Sequence, residues 1–173
     1  ESGITAGHAL EIGHGPGYLG LEWLKHTQGT TLTGLDISPD MHELAQKNTV
    51  SYGFSERTDY QMGNCNALPF DDESFDAVFT NGSLHEWADP CGAFDEIWRV
   101  LKAGGRFYIS DLRRDMSSLM SSVMWISTRP ASIRPGLLTS IRAAYTPGEL
   151  LTMLAGTKLR GALVSGGWID VCI

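Results

Sequence analysis

Short apolar runs alternate with amphipathic stretches through the first two thirds of the chain, a pattern that predicts parallel strands joined by helical crossovers. His8-Ala-Leu-Glu-Ile12 reads as the first strand, and Tyr18 to His26 as a helix entered through a glycine-rich turn. Thr31 to Asp36 reads as the second strand. Ser38-Pro39 supplies an N-cap hydroxyl and a proline at the first position of the next helix, whose apolar face is Met41, Leu44 and Ala45 and whose end is Gly53. Tyr60-Gln-Met62 and Phe75 to Thr80 read as the third and fourth strands. A helix over Phe94 to Lys102, stopped by Gly104-Gly105, leads to a fifth strand from Arg106 to Leu112.

Beyond Leu112 the periodicity becomes helical. Met116 to Ile126 carries apolar residues at 116, 119, 120, 123, 124 and 126, and a second helix is expected over Leu137 to Ala144. Thr146-Pro147 caps a third, with Leu150, Leu151 and Leu154 as its apolar face. Leu159 to Val164 and Trp168 to Ile173, linked through Gly166-Gly167, read as a closing antiparallel hairpin. The expected fold class is α/β: a mainly parallel sheet of seven strands with a reversed final strand and helices on both faces. Residues 113–145 exceed what a crossover needs and read as a helical cap inserted into a single domain spanning 1–173.

Charge and composition narrow the function. The net charge is -7, but residues 1–100 hold 4 basic and 16 acidic residues while 101–173 hold 9 and 4, so the halves carry -12 and +5. So acidic a total disfavours nucleic acid as a partner, since phosphate binding needs a broad Lys/Arg surface. No apolar run reaches the ~18 to 20 residues of a membrane span. The three cysteines, Cys65, Cys91 and Cys172, have neither CxxC spacing nor an even count, which points to a reducing cytoplasm and away from disulfides or zinc. The chain starts at Glu1 without an initiator Met or a signal-like segment, close before the first strand, and reads as lacking an N-terminal stretch.

Glu11-Ile-Gly13-His-Gly15-Pro-Gly17-Tyr-Leu-Gly20 lies between a strand and a helix, where missing side chains let backbone approach a ligand. A nucleoside-containing ligand is expected there. Gly15-Pro-Gly17-Tyr-Leu-Gly20 also satisfies the GxGxxG of NAD-binding folds, so the motif by itself leaves a dinucleotide, a methyl donor or a plain tight turn open. Glu11, just before the glycines, suits a ligand ammonium and would repel a pyrophosphate. Asp36 at the end of the second strand suits both hydroxyls of a ribose, or simply forms the turn.

Four blocks decide between these. Glu11-Ile-Gly-His-Gly-Pro-Gly17, Leu35-Asp-Ile-Ser-Pro39, Gly63-Asn-Cys-Asn-Ala-Leu-Pro-Phe-Asp-Asp-Glu-Ser-Phe-Asp76 and Arg99-Val-Leu-Lys-Ala-Gly-Gly105 follow in order. With them the chain resembles the class I S-adenosylmethionine-dependent methyltransferases, in particular the broad group that includes ubiquinone and menaquinone biosynthesis enzymes. The resemblance implies a Rossmann-like sheet and S-adenosylmethionine as cofactor. By position it implies that Gly13, His14 and Gly15 meet the donor's methionine part through backbone, that Asp36 holds the ribose, and that Ile37 and Met41 flank the adenine. Asn64, where many relatives have Asp, would read the adenine amino group, Cys65 would offer its N–H to the ring, and Asn81 would lie beside the methionine end.

Methyl transfer is an in-line displacement, and positioning at about 3 to 3.5 Å can supply roughly 7 to 11 kcal/mol without a catalytic side chain. A general base matters only where the acceptor must lose a proton. His85, in His85-Glu86-Trp87 after the fourth strand, is the best candidate for one, against a plain capping or pocket-lining role. No His/Asp/Glu grouping has metal spacing. The expected partner is a small-molecule acceptor. Arg113, Arg114, Arg129, Arg134 and Arg142 suggest that it is anionic, with Arg113 and Arg114 nearest the site, against a reading of solvated arginines. Two other classes stay in view: an NAD-dependent oxidoreductase, which would need a second substrate-binding unit, and a noncatalytic donor-binding module.

Overall fold

A computed structural model describes residues 6–173; the chain start, on which the reading of a missing N-terminal stretch rests, lies outside the described residues. Strands β1 (Ala6–Ile12), β2 (Gly29–Asp36), β3 (Thr58–Met62), β4 (Phe75–Asn81), β5 (Leu101–Leu112), β6 (Ser165–Gly166) and β7 (Asp170–Cys172) form one sheet in the order β3-β2-β1-β4-β5-β7-β6. Pairing among β1 to β5 is parallel, whereas β7, the last strand of the chain, is antiparallel to β5 and to β6. The chain leaves β1 toward β2 and β3 on one side and resumes at β4 on the other. The carboxyl ends of β1 and β4 therefore part at a topological switch point, where open α/β sheets bind ligands.

Six helices accompany the sheet: α1 (Tyr18–Lys25), α2 (Pro39–Tyr52), α3 (Pro90–Val100), α4 (Ser118–Ser127), α5 (Arg134–Ala143) and α6 (Pro147–Ala155). Their starts follow from local chemistry. Ser38 accepts the Met41 N–H ahead of α2, Asp89 accepts the Gly92 N–H ahead of α3, and Thr146 with Glu149 forms a reciprocal capping box on α6. Each of these helices opens with proline, whose missing N–H costs nothing at that position. The main core gathers Leu10, Ile12, Val78 and Ile109 from the central strands with Phe94 and Ile97 of α3 and Leu150 of α6. Among the described residues no helix is long and apolar enough to cross a membrane.

Two elements differ from the sequence reading. Helix α3 ends at Val100 and β5 begins at once, because Leu101 pairs with Phe75. The pairing then jumps to Ala77 with Arg106, so Gly104, at φ 78°, serves a bulge within the strand and does not stop a helix. In the closing hairpin, Leu159 to Val164 is not a strand. Leu159 is buried in the main core from a turn, and only Ser165 and Gly166 reach β7.

The loop between β3 and β4 is fastened from below. Arg99 on α3 donates to the carbonyls of Leu68 and Phe70, and Glu96 accepts the Leu68 N–H at 2.8 Å. Gly63 to Cys65 are thereby held at the sheet's carboxyl edge.

Candidate active site

At the switch point lies a cavity of about 630 Å³, within the range of small-molecule sites. Glu11, Gly13, His14, Gly15, Asp36, Ile37, Met41, Asn64, Cys65 and Asn81, drawn from four separate strand ends, all line it. Residues 53 positions apart in sequence, such as Glu11 and Asn64, meet because parallel strands deliver their carboxyl ends to one edge.

Asp36 organises the glycine turn. One carboxylate oxygen accepts the Gly15 N–H at 2.8 Å and the other the Ser38 N–H at 2.9 Å. Gly13 and Gly15 sit at φ 65° and 52°, a left-handed conformation that favours glycine. A Cβ on Gly13 would fall 2.6 Å from that of Ser83, whereas one on Gly15 would meet only open space. At Gly15 it is therefore the backbone conformation, not crowding by protein, that excludes a side chain.

Glu11 is only 3% exposed, and its Oε2 has no hydrogen-bond partner. Burial pushes its carboxyl up to about 8, against the pull of the Gly20 amide. The group is thus largely protonated at neutral pH in the absence of a nearby cation. His14 turns its ring under the turn: Nδ1 bonds the Gly15 carbonyl at 2.7 Å and the ring packs on Tyr60 with centroids 4.6 Å apart. Only its backbone is free to serve a ligand in the manner expected. Asn64 Oδ1 already accepts the Asn66 N–H at 2.9 Å, leaving one lone pair. Ile37 is 72% exposed beside half-buried Met41, and burial pushes the Cys65 thiol up to about 11, which suits a small apolar wall and not a nucleophile.

His85 stands behind this wall. It does not line the cavity, although Ser83, Glu86 and Trp87 around it do. Its Nδ1 lies 2.9 and 3.0 Å from the two oxygens of Asp111, and its backbone N–H donates to the same carboxylate at 2.8 Å. The hydrogen bond to Asp111 raises the imidazole above its ordinary value, against desolvation.

Arg113 and Arg114 are placed elsewhere. Arg113 forks onto Asp115 at 2.7 and 2.9 Å and donates to the Gly167 carbonyl, while Arg114 binds the Ala144 carbonyl and Glu149. Neither lines the cavity. Their guanidinium donors tie the end of β5 to the hairpin and to α6, which corrects the expectation that these two would meet an anionic acceptor.

Sequence reasoning missed Ser83 and Asp111. Ser83 accepts the Trp87 indole N–H at 3.2 Å and bonds the Thr80 hydroxyl, fixing the indole at the cavity wall. For Asp111 there was a signal: a carboxylate at 3% exposure inside the apolar strand Ile109-Ser-Asp-Leu112 must have a partner.

Comparison with known proteins agrees with the site. The sequence profile of the methyltransferase domain family matches residues 10–109. A demethylmenaquinone methyltransferase of Roseiflexus castenholzii is 29% identical over 170 residues, 96% of this chain and 70% of that protein. The sterol 4-C-methyltransferase strm-1 of Caenorhabditis elegans is 34% identical over 105 residues, 61% of this chain and 31% of its own. Against the curated relatives compared, the aligned share of their length runs from 31% to 72%. A crystal structure of a Methanococcus maripaludis protein assigned as an S-adenosyl-L-methionine-dependent methyltransferase superposes with a TM-score of 0.80 at 26% identity, covering 100% of this chain and 79% of that one. The fold, the cavity at its switch point and these relatives agree: the chain belongs to the class I S-adenosylmethionine-dependent methyltransferases.

Proposed function

We propose that the cavity residues hold S-adenosylmethionine as the resemblance implies, and that the chain methylates a small molecule of the quinone or sterol kind. The convergence of all ten expected residues on one cavity carries this reading. The residues fit the cofactor. Each Asp36 oxygen accepts one backbone N–H and keeps a lone pair for a ribose hydroxyl. The unpartnered Oε2 of Glu11 awaits a polar group, and an ammonium near it would draw the carboxyl back toward its ionised form. Ile37 and Met41 offer apolar surface for the adenine, and the remaining lone pair of Asn64 Oδ1 its amino group.

The bound cofactor supplies an electrophilic methyl group. What the chain contributes is placement, water exclusion and charge: the glycine turn sets the depth of binding, and Trp87, held by Ser83, offers a π face to a cation. The relatives act on quinones and a sterol, as their names state, and the segment 113–145 is the part of this chain placed to cover such an acceptor. A pyrophosphate would have to sit against buried Glu11, which disfavours the dinucleotide reading.

Calorimetric titration tests the cofactor assignment. S-adenosylmethionine and its demethylated product should bind, NAD far more weakly, and Asp36→Ala should cost about 1.5 to 3 kcal/mol, the worth of charge-assisted hydrogen bonds. Tighter binding of NAD would sink it. Methyl transfer to demethylmenaquinol or to a sterol, followed with labelled donor, tests the acceptor class.

A further inference from the structure

The position of His85 carries an inference about the reaction. Asp111 engages this residue twice, at the ring and at the backbone, and its Oδ1 also accepts the Leu112 N–H at 2.7 Å. A carboxylate only accepts hydrogen bonds, so Nδ1 must carry the proton that bridges to it. In the neutral ring this leaves Nε2 with a bare lone pair. That atom is buried without a hydrogen-bond partner, in a side chain 8% exposed. The nearest opposite charge is Glu86 Oε1 at 3.8 Å, and Glu86 itself lines the cofactor cavity. Helix α5 lies against the one-turn helix Leu84–Glu86 that carries His85, so Nε2 sits between the cavity wall and the 113–145 segment.

An imidazole held by a buried carboxylate at one nitrogen and bare at the other is arranged to take a proton. A buried acceptor left without a partner costs stability, roughly 1 to 3 kcal/mol, which a purely structural histidine would avoid by turning Nε2 to a donor or to solvent. We propose that His85 is the general base of a methyl transfer to a protic acceptor, such as a hydroquinone or an enolisable ring, and that Asp111 is the positioning residue that fixes its tautomer. This rests on the acceptor class given above and narrows it, excluding acceptors with a ready lone pair and no proton to lose, such as thioethers or tertiary amines. As the acceptor's O–H or C–H proton passes to Nε2, its freed electron pair bonds the methyl carbon, and the C–S bonding pair stays on sulfur as a neutral thioether. The proton leaves later to solvent. Carbon acceptors need such a base most, because a ring carbon becomes nucleophilic only when the attached hydroxyl or hydrogen gives up its proton.

Two measurements test this. The first needs no acceptor: nitrogen-15 NMR of the histidine rings, read above the imidazole's own titration, should show His85 with a protonated Nδ1 and a bare Nε2. In Asp111→Asn that preference should be lost or reversed, because an amide N–H₂ placed at Nδ1 donates where the carboxylate accepted. A protonated Nε2 in the native protein overturns the proposal whatever acceptor is found. The second is kinetic, with demethylmenaquinol as the probe. His85→Ala should lower kcat by roughly 10² to 10⁴ with little change in KM, and Asp111→Asn by about 10². An unchanged kcat in His85→Ala overturns the base, and a rise confined to KM in both variants assigns the pair to packing instead. Should the native enzyme methylate neither demethylmenaquinol nor a sterol, the acceptor class falls separately, and the NMR result alone decides the His85–Asp111 pair.

Discussion

The sheet with its cavity and the segment 113–145 are built on different principles. In the first, Leu10, Val78, Phe94 and Ile97 are at most 1% exposed, and every strand end that lines the cavity is fixed by ladders on both sides or by Arg99. In the second, α4 has no buried residue at all, and Leu119, Val123 and Ile126 stand 73%, 50% and 60% exposed. The segment is tied down mainly at its ends, by the Arg113–Tyr145 bridge, by Arg114 and by buried Ile141 and Ala144. The cofactor side is thus rigid and overdetermined, while the side facing the acceptor is loosely held, which lets acceptor choice change without disturbing cofactor binding.

That contrast can be broken by mutation. Phe94→Ala removes a fully buried ring and should cost about 3 to 5 kcal/mol in denaturant unfolding, whereas Leu119→Ala should stay within about 0.5 kcal/mol. A loss at Leu119 as large as that at Phe94 would show that α4 is packed in solution. Glu11→Gln addresses the rigid side. The carboxyl titrates near 8 in the folded protein against an ordinary value of 4.5, so the folded state holds the extra proton between those values. Stability should therefore fall as pH rises from about 4.5 to 8, by up to about 1.4 kcal/mol per pH unit, and level off above. Thermal unfolding across that range should lose most of this slope in Glu11→Gln. The smallest effect is expected on the loose side. Arg114→Ala breaks an exposed pair with Glu149, worth about 1 kcal/mol or less, and should leave acceptor KM unchanged. A large rise in KM would restore Arg114 as an acceptor ligand.

Much of this was legible in the chain itself. Apolar strands alternating with capped, proline-opened helices gave the parallel sheet, because strand and helix periods are local properties. The glycine turn, Asp36 and the Gly63–Asp76 block gave the cofactor residues, because their spacing matches where parallel strands end. The limits are equally specific. Arg113 and Arg114 looked free because no acidic residue but Asp115 precedes Glu149 in that segment, yet carbonyls at Ala144 and Gly167 and the carboxylate of Glu149 take their donors. Gly104-Gly105 looked like a helix stop and became a bulge, since pairing of Leu101 with Phe75 outweighs a helical continuation that lacks a buried face.

The sequence by itself determined which elements form, in what order, and which residues gather at the sheet's carboxyl edge. Only the tertiary structure decided the partners of ionisable groups: that Asp111 faces His85 across 26 positions, and that Glu11 is buried without a cation. Periodicity is written in neighbouring residues. A hydrogen bond between two strand ends depends on register and twist accumulated over the whole sheet, and no short stretch of sequence specifies it.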